Sequence, residues 1–203
     1  MLISGYELMI LYQKTEYYQY EKIMYKDILN FCFKEVGSEK FFEKDVNFDK
    51  LLTERYSALL KQAAASELYE WRCSIEGRLA EIIVLDQFSR NIYRDIPAAF
   101  AQDAMALALA QEAVNAGALE ILESVAARKF ILMPYMHSES KLIHQQALTL
   151  FETYSNAETV EAELKHKVII ERFGRYPHRN VILGRVSSSE EIEFLTQPDS
   201  SFL

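Results

Sequence analysis

The chain has 203 residues, 50% of them hydrophobic and 26% charged, with a formal net charge of -8. That length suits one well-buried core, the apolar share is too high for a disordered chain, and the acidic balance leaves no broad basic face for nucleic acid. No apolar run approaches the roughly 20 residues of a membrane span, and two isolated cysteines, Cys32 and Cys73, suit free thiols in a reducing cytoplasm better than a disulfide framework or a metal motif.

Only six glycines and four prolines interrupt the chain, and no segment alternates apolar and polar residues as a strand would, so helices are expected throughout. Residues 1–23 read as an N-terminal extension or extra helix, and residues 24–203 as a single α-helical domain. A first short helix holds Ile28, Leu29, Phe31 and Phe33. A second starts near Phe48 and carries Leu51, Leu52, Tyr56, Leu59, Leu60 and Ala63 on one face. The third, over residues 76–92, is almost continuously apolar from Leu79 to Leu85. Its stripe Leu79, Ile83, Asp86, Arg90 carries two charged groups four residues apart on a core-facing row, where they should neutralise each other. Pro97 opens a fourth helix that stops at Gly117. A fifth spans about Leu119 to Leu132 and is expected to end near Pro134, and Ser138 or Ser140 caps a sixth. Ser155 with Glu158 forms a capping-box pattern for a seventh that ends near Phe173, with Gly174 just beyond it. Ser187 with Glu190, or Ser188 with Glu191, repeats that pattern before a last short helix. Short connections imply antiparallel helix pairs.

Chemistry concentrates in residues 172–185, where Arg172, Arg175, Arg179, Arg185 and His178 occur with no acid before Ser189. Such a cluster must meet acids brought by the fold or hold an anion from outside. Asp86, Asp103 and Glu139 are the expected internal counter-charges. The dipeptides Arg90-Asn91 and Arg179-Asn180 fall at expected helix ends, where capping by Asn and Arg is the simple reading and anion binding the sharper one. His137, His144, His166 and His178 show no spacing that fixes a metal, so neither a metal nor a cofactor is expected. Trp71, Tyr69, Phe88, Tyr93 and Phe100 suit core packing, or a pocket where they meet the arginines.

Several of these motifs occur in one order: Trp71, Gly77-Arg78-Leu79-Ala80, Leu85-Asp86-Gln87-Phe88, Arg90-Asn91-Ile92-Tyr93-Arg94, Pro97, Ala99-Phe100, Asp103, Met136-His137-Ser138-Glu139, His166, Arg172-Phe173-Gly174-Arg175, Pro177-His178-Arg179-Asn180 and Leu183-Gly184-Arg185. In this the chain resembles the bacterial family catalogued as domain of unknown function 924, from about Ile28 to Leu195. It departs from the family pattern at Ser89, where a proline is usual, and at Cys32 and Phe41, where tryptophans are usual. The resemblance implies an all-α, tetratricopeptide-like right-handed array of antiparallel helix pairs and brings no activity with it. Three functions stay open. The first is binding of an acidic peptide or small anionic ligand by Asp86, Arg90, Asn91, Glu139, Arg172, Arg175, Arg179 and Asn180. The second is a hydrolase-type enzyme with His137, His166 or His178 as general base and Arg172 or Arg179 stabilising developing negative charge. The third is a purely structural cluster in an interaction scaffold, and a concave helical face would also admit a homodimer.

Overall fold

The structure, a computed structural model, describes residues 25–198 and residue 200, and among them every regular element is helical. The extension expected over residues 1–23 lies outside the described residues. Helix α1 (residues 25–30) runs into a π turn at Phe31–Glu35, and a 3-10 turn at Ser38–Phe42 leads to α2 (Val46–Ala64). Asp45 caps α2 by accepting from the Asn47 and Phe48 amides, which starts it two residues before its apolar stripe. No helix is long and apolar enough to cross a membrane among the described residues.

The expected third helix proves to be three pieces: α3 (Ile75–Ile83), a π turn at Val84–Phe88, and α4 (Ser89–Ile92). All of Leu79 to Ser89 is buried, Glu81 and Asp86 included. Pro97 opens a 3-10 turn, Pro97–Phe100, before α5 (Asp103–Asn115), and Gly117 takes the left-handed conformation at φ 80 before the short α6 (Ala118–Ile121). Helix α7 (Val125–Met136) starts later than its apolar pattern suggests, at the Ser124 cap, and does not stop at Pro134. Proline lies in its last turn, where only the Phe130 carbonyl forgoes an amide partner, and His137 N still bonds Met133 O at 2.9 Å.

Ser140 precedes α8 (Lys141–Tyr154). Asn156, rather than Ser155, caps α9 (Ala157–Phe173), while the Ser155 hydroxyl turns back to the Phe151 carbonyl. Gly174, left-handed at φ 68, ends α9, and the Ser188–Glu191 capping box opens α10 (Ser189–Leu195), both as expected. Helix α3 packs on α5 and α7, α7 on α8, and α8 on α9. The main core joins α1 to α8, and a small separate cluster of Ile169, Ile170 and Tyr176 underlies the C-terminal segment.

Candidate functional site

The π turn carries the first element of the site. Its consecutive residues Asp86 and Gln87 are both buried inside the fold. The Asp86 carboxylate accepts from His137 Nδ1 at 2.8 Å and from Gln87 Nε2 at 2.5 Å, and pairs with Arg90 Nη1 at 2.9 Å. Burial pushes this carboxyl up, but the charges of Arg90 and His137, with the hydrogen bonds from His137 and Gln87, outweigh it and hold it down at about 2. The expected Asp86–Arg90 pair is therefore present, with His137 as its third member.

Asp103 at the start of α5 bridges two arginines. Arg90 lies 2.9 Å from its Oδ1, and Arg179 Nη1 donates to Oδ2 at 3.1 Å. Arg179 also donates from Nη2 to the His137 carbonyl at 3.1 Å, and its guanidinium lies between the Phe100 and Tyr176 rings, 4.6 and 4.5 Å from their centroids. The two arginines fare differently. Burial disfavours charge on both, yet Asp103 and Asp86 more than compensate at Arg90, whereas Arg179, with its share of Asp103 and the more distant Glu139, stays below its ordinary value. Its Nε is buried with no hydrogen-bond partner. Arginine cannot shed its proton, so Arg179 is a cation incompletely neutralised by the fold.

The other arginines find acids that a reading of residues 172–185 alone does not supply. Arg172 pairs with Glu190 at 2.8 Å and Arg175 with Glu191 at 2.7 Å, both acids from α10. Glu139 serves Arg185, at 2.6 Å, and accepts the Tyr176 amide. Neither Asn takes the left-handed capping conformation: Asn91 lies within α4 and donates to the Gln87 and Phe41 carbonyls, and Asn180 has right-handed helical backbone and donates to Ser187.

Beside Asp86 and Asp103 opens a cavity of about 280 Å³. Its wall includes Arg90, Asn91, Arg179 and all three candidate histidines, His137, His166 and His178, and leaves out Asp86, Arg172, Arg175, Asn180 and Glu139. Phe41, Phe42, Phe100, Met133, Met136 and Ile182 make it largely apolar, with Lys44, Arg94 and Lys129 among its polar residues. Lys129 stands 4.0 Å over the Phe42 ring. Of these residues, the sequence patterns single out Phe100 for a pocket; Phe41 and Phe42 lie in a 3-10 turn with no periodic signal. No group of His, Cys, Asp and Glu suited to a metal occurs among the described residues.

Burial keeps the histidines around the cavity neutral. It lowers His166 to about 3, against the hydrogen bond from its Nδ1 to the Ala162 carbonyl, and lowers His178 to about 4; for His137 burial and Arg90 outweigh Asp86 and Asp103. In the unfolded chain these rings bind protons at about pH 6.5. Below that pH the unfolded state holds more protons, so stability falls on acidification, by up to ~1.4 kcal/mol per pH unit for each ring. Glu163, pushed up by its burial, offsets part of this as pH falls. Melting temperatures measured from pH 7 to pH 4 should decline from about pH 6.5; a plateau down to the carboxylate range, near pH 4, would contradict the assignment.

A second buried pair braces the same region. His144 Nδ1 lies 2.7 Å from Glu163 Oε1 and its Nε2 donates to the Ser138 carbonyl at 2.9 Å, while the Tyr176 hydroxyl donates to the Met136 carbonyl at 2.5 Å. These bonds tie α8, α9 and the end of α7 to Tyr176, whose ring supports Arg179.

The family of bacterial proteins of unknown function DUF924 matches over residues 28–199. The solved structure of ATU0120, a protein of unknown function from Agrobacterium tumefaciens, is similar, with 33% identity, a TM-score of 0.80, and coverage of 86% of this chain and 97% of that one. No curated protein matches. With nearly all of the described helices inside the matched span, the chain belongs to the DUF924 family.

Proposed function

We propose that the cavity binds a small anion with an apolar body, its acidic group against Arg179 and its body among Phe41, Phe42 and Phe100. The observation that carries this reading is Arg179, a buried cation on the cavity wall that shares the Asp103 carboxylate with Arg90. An incoming carboxylate or phosphate would supply the missing charge-assisted hydrogen bond. Among the described residues, five Lys and Arg side chains line the cavity against two acids, Asp95 and Glu158. A volume of about 280 Å³ is at the lower end of small-molecule sites and favours a compact ligand over an acidic peptide. The short links between α7, α8 and α9, each packed on the next, support antiparallel pairing in a tetratricopeptide-like array, with the C-terminal segment closing the cavity.

Benzoate and phenyl phosphate, tested by calorimetry and thermal shift, should bind and raise the melting temperature, a ligand at 100 times its Kd adding about 2.7 kcal/mol. Arg179→Met should weaken binding by on the order of 10-fold or more, as expected for losing a charge-assisted hydrogen bond. Absence of binding by either compound, or equal binding by the variant, would sink the proposal.

A further inference from the structure

We infer that the cavity is a catalytic site that hydrolyses a small carboxylic ester by direct attack of water, with His137 as general base, Asp86 as its positioning residue and Arg179 as the donor to the oxyanion. This rests on the anion-binding reading and deepens it, because the bound anion becomes the carboxylate product of the reaction. Four observations carry it.

The first is the Asp86–His137 contact. The carboxylate accepts from Nδ1 at 2.8 Å, which fixes the tautomer and leaves Nε2 as the basic nitrogen of a ring that lines the cavity. Asp86 is itself held by Gln87 at 2.5 Å and Arg90 at 2.9 Å, so the ring's partner has little freedom. The second is Arg179, which lines the cavity and whose bond to the His137 carbonyl at 3.1 Å sets the guanidinium beside the base. A carbonyl ester under attack develops one oxyanion, and one such donor suits it. The third is the fate of the hydroxyls on the wall. Thr159 Oγ1 donates to Asn156 Oδ1 at 2.7 Å and Tyr176 Oη to the Met136 carbonyl at 2.5 Å, and no Ser or Cys among the described residues lines the cavity, which leaves water as the nucleophile. The fourth is the aromatic and methionine wall, which suits the uncharged body of an ester.

The step balances. Water gives a proton to His137 Nε2 as its oxygen bonds the carbonyl carbon, and the former carbonyl oxygen takes the negative charge beside Arg179. The tetrahedral species then expels the alkoxide or phenoxide, which takes the proton back from His137, and the carboxylic acid loses its own proton to solvent. No acyl-enzyme forms.

The probe is 4-nitrophenyl benzoate, followed by release of 4-nitrophenol, with benzoate as the product. Wild-type protein should turn it over and be inhibited competitively by benzoate. His137→Gln should lower kcat by on the order of 10²-fold or more with little change in KM, and Arg179→Met should lower kcat and weaken benzoate together. The rate should fall on the acid side with a limb below the ordinary histidine pKa, set by the groups that face His137: Asp86, Arg90, Asp103, Arg179 and His166. Asp86→Asn should lower kcat and move that limb to lower pH, an effect a merely structural carboxylate would not produce; Asp86→Glu should restore part of the rate. Benzoate binding with His137→Gln as active as wild type would overturn the catalytic inference and leave the binding reading intact. Neither binding nor turnover would overturn both. A burst of one 4-nitrophenol per chain would reveal a covalent intermediate and overturn attack by water.

Discussion

Replacing Asp86 with alanine is expected to lower folding stability by about 3–5 kcal/mol, the cost of breaking a buried ion pair by removing one partner. Asp86 is 1% exposed and serves three donors, of which only Arg90 has a second carboxylate, Asp103, within reach. Arg90, with its side chain 17% exposed, would fall back on Asp103, which Arg179 already shares. Two guanidiniums would then lean on one carboxylate with little water to help, and Gln87 and His137 would each lose an acceptor. Asp86→Asn should cost less, because the amide oxygen still accepts one bond. Urea unfolding curves check both; a loss under about 1 kcal/mol for the alanine variant would mean that water enters the cluster and screens it.

Gly77→Ala should cost about 3 kcal/mol, where the same change in an ordinary helix would gain about 1 kcal/mol. A Cβ at residue 77 would lie 2.0 Å from the Trp71 carbonyl oxygen and 2.8 Å from its carbon, both backbone atoms that no rotamer change can clear. The Tyr69–Cys73 turn crosses the start of α3 at this point and delivers Trp71, 1% exposed, into the core beside Tyr25. Relief requires moving the whole turn, and with it the indole. Thermal unfolding should show a drop of several degrees, and an unchanged melting temperature would show that the turn yields at little cost.

What was legible in the sequence was the short-range physics. Apolar stripes predict α2 and α3, Gly174 the end of α9, the Ser188–Glu191 pattern a real capping box, and the four-residue spacing of Asp86 and Arg90 their pairing. Each depends on groups within one or two turns. The partners of Arg172 and Arg175 are 18 and 16 residues away, that of Arg179 is 76 residues away, and such pairings leave no periodic mark. For the same reason Phe41 and Phe42 were not readable as a cavity wall. The π turn escaped because Leu79 to Ser89 is buried on all sides, and one extra residue there shifts no boundary between an apolar and an exposed face. Pro134 misled through a sound rule, since a proline in a last turn sacrifices one bond rather than a helix.

The C-terminal segment lies against the body over a small core of Ile169, Ile170 and Tyr176, with Phe173 and Phe194 partly buried beside it, and is fastened within by Arg179–Asp103 and at the more exposed rim by Arg172–Glu190 and Arg185–Glu139. The rim pairs are screened by salt, whereas the buried pair and the apolar body are not. Amide exchange should therefore find two tiers of opening: residues 175–195 releasing first and faster as ionic strength rises, the helices of the main core only with global unfolding. Since Arg179, His178 and Ile182 travel with that segment, the cavity would gain an entrance whose opening frequency follows the salt concentration, while its aromatic floor stays in place.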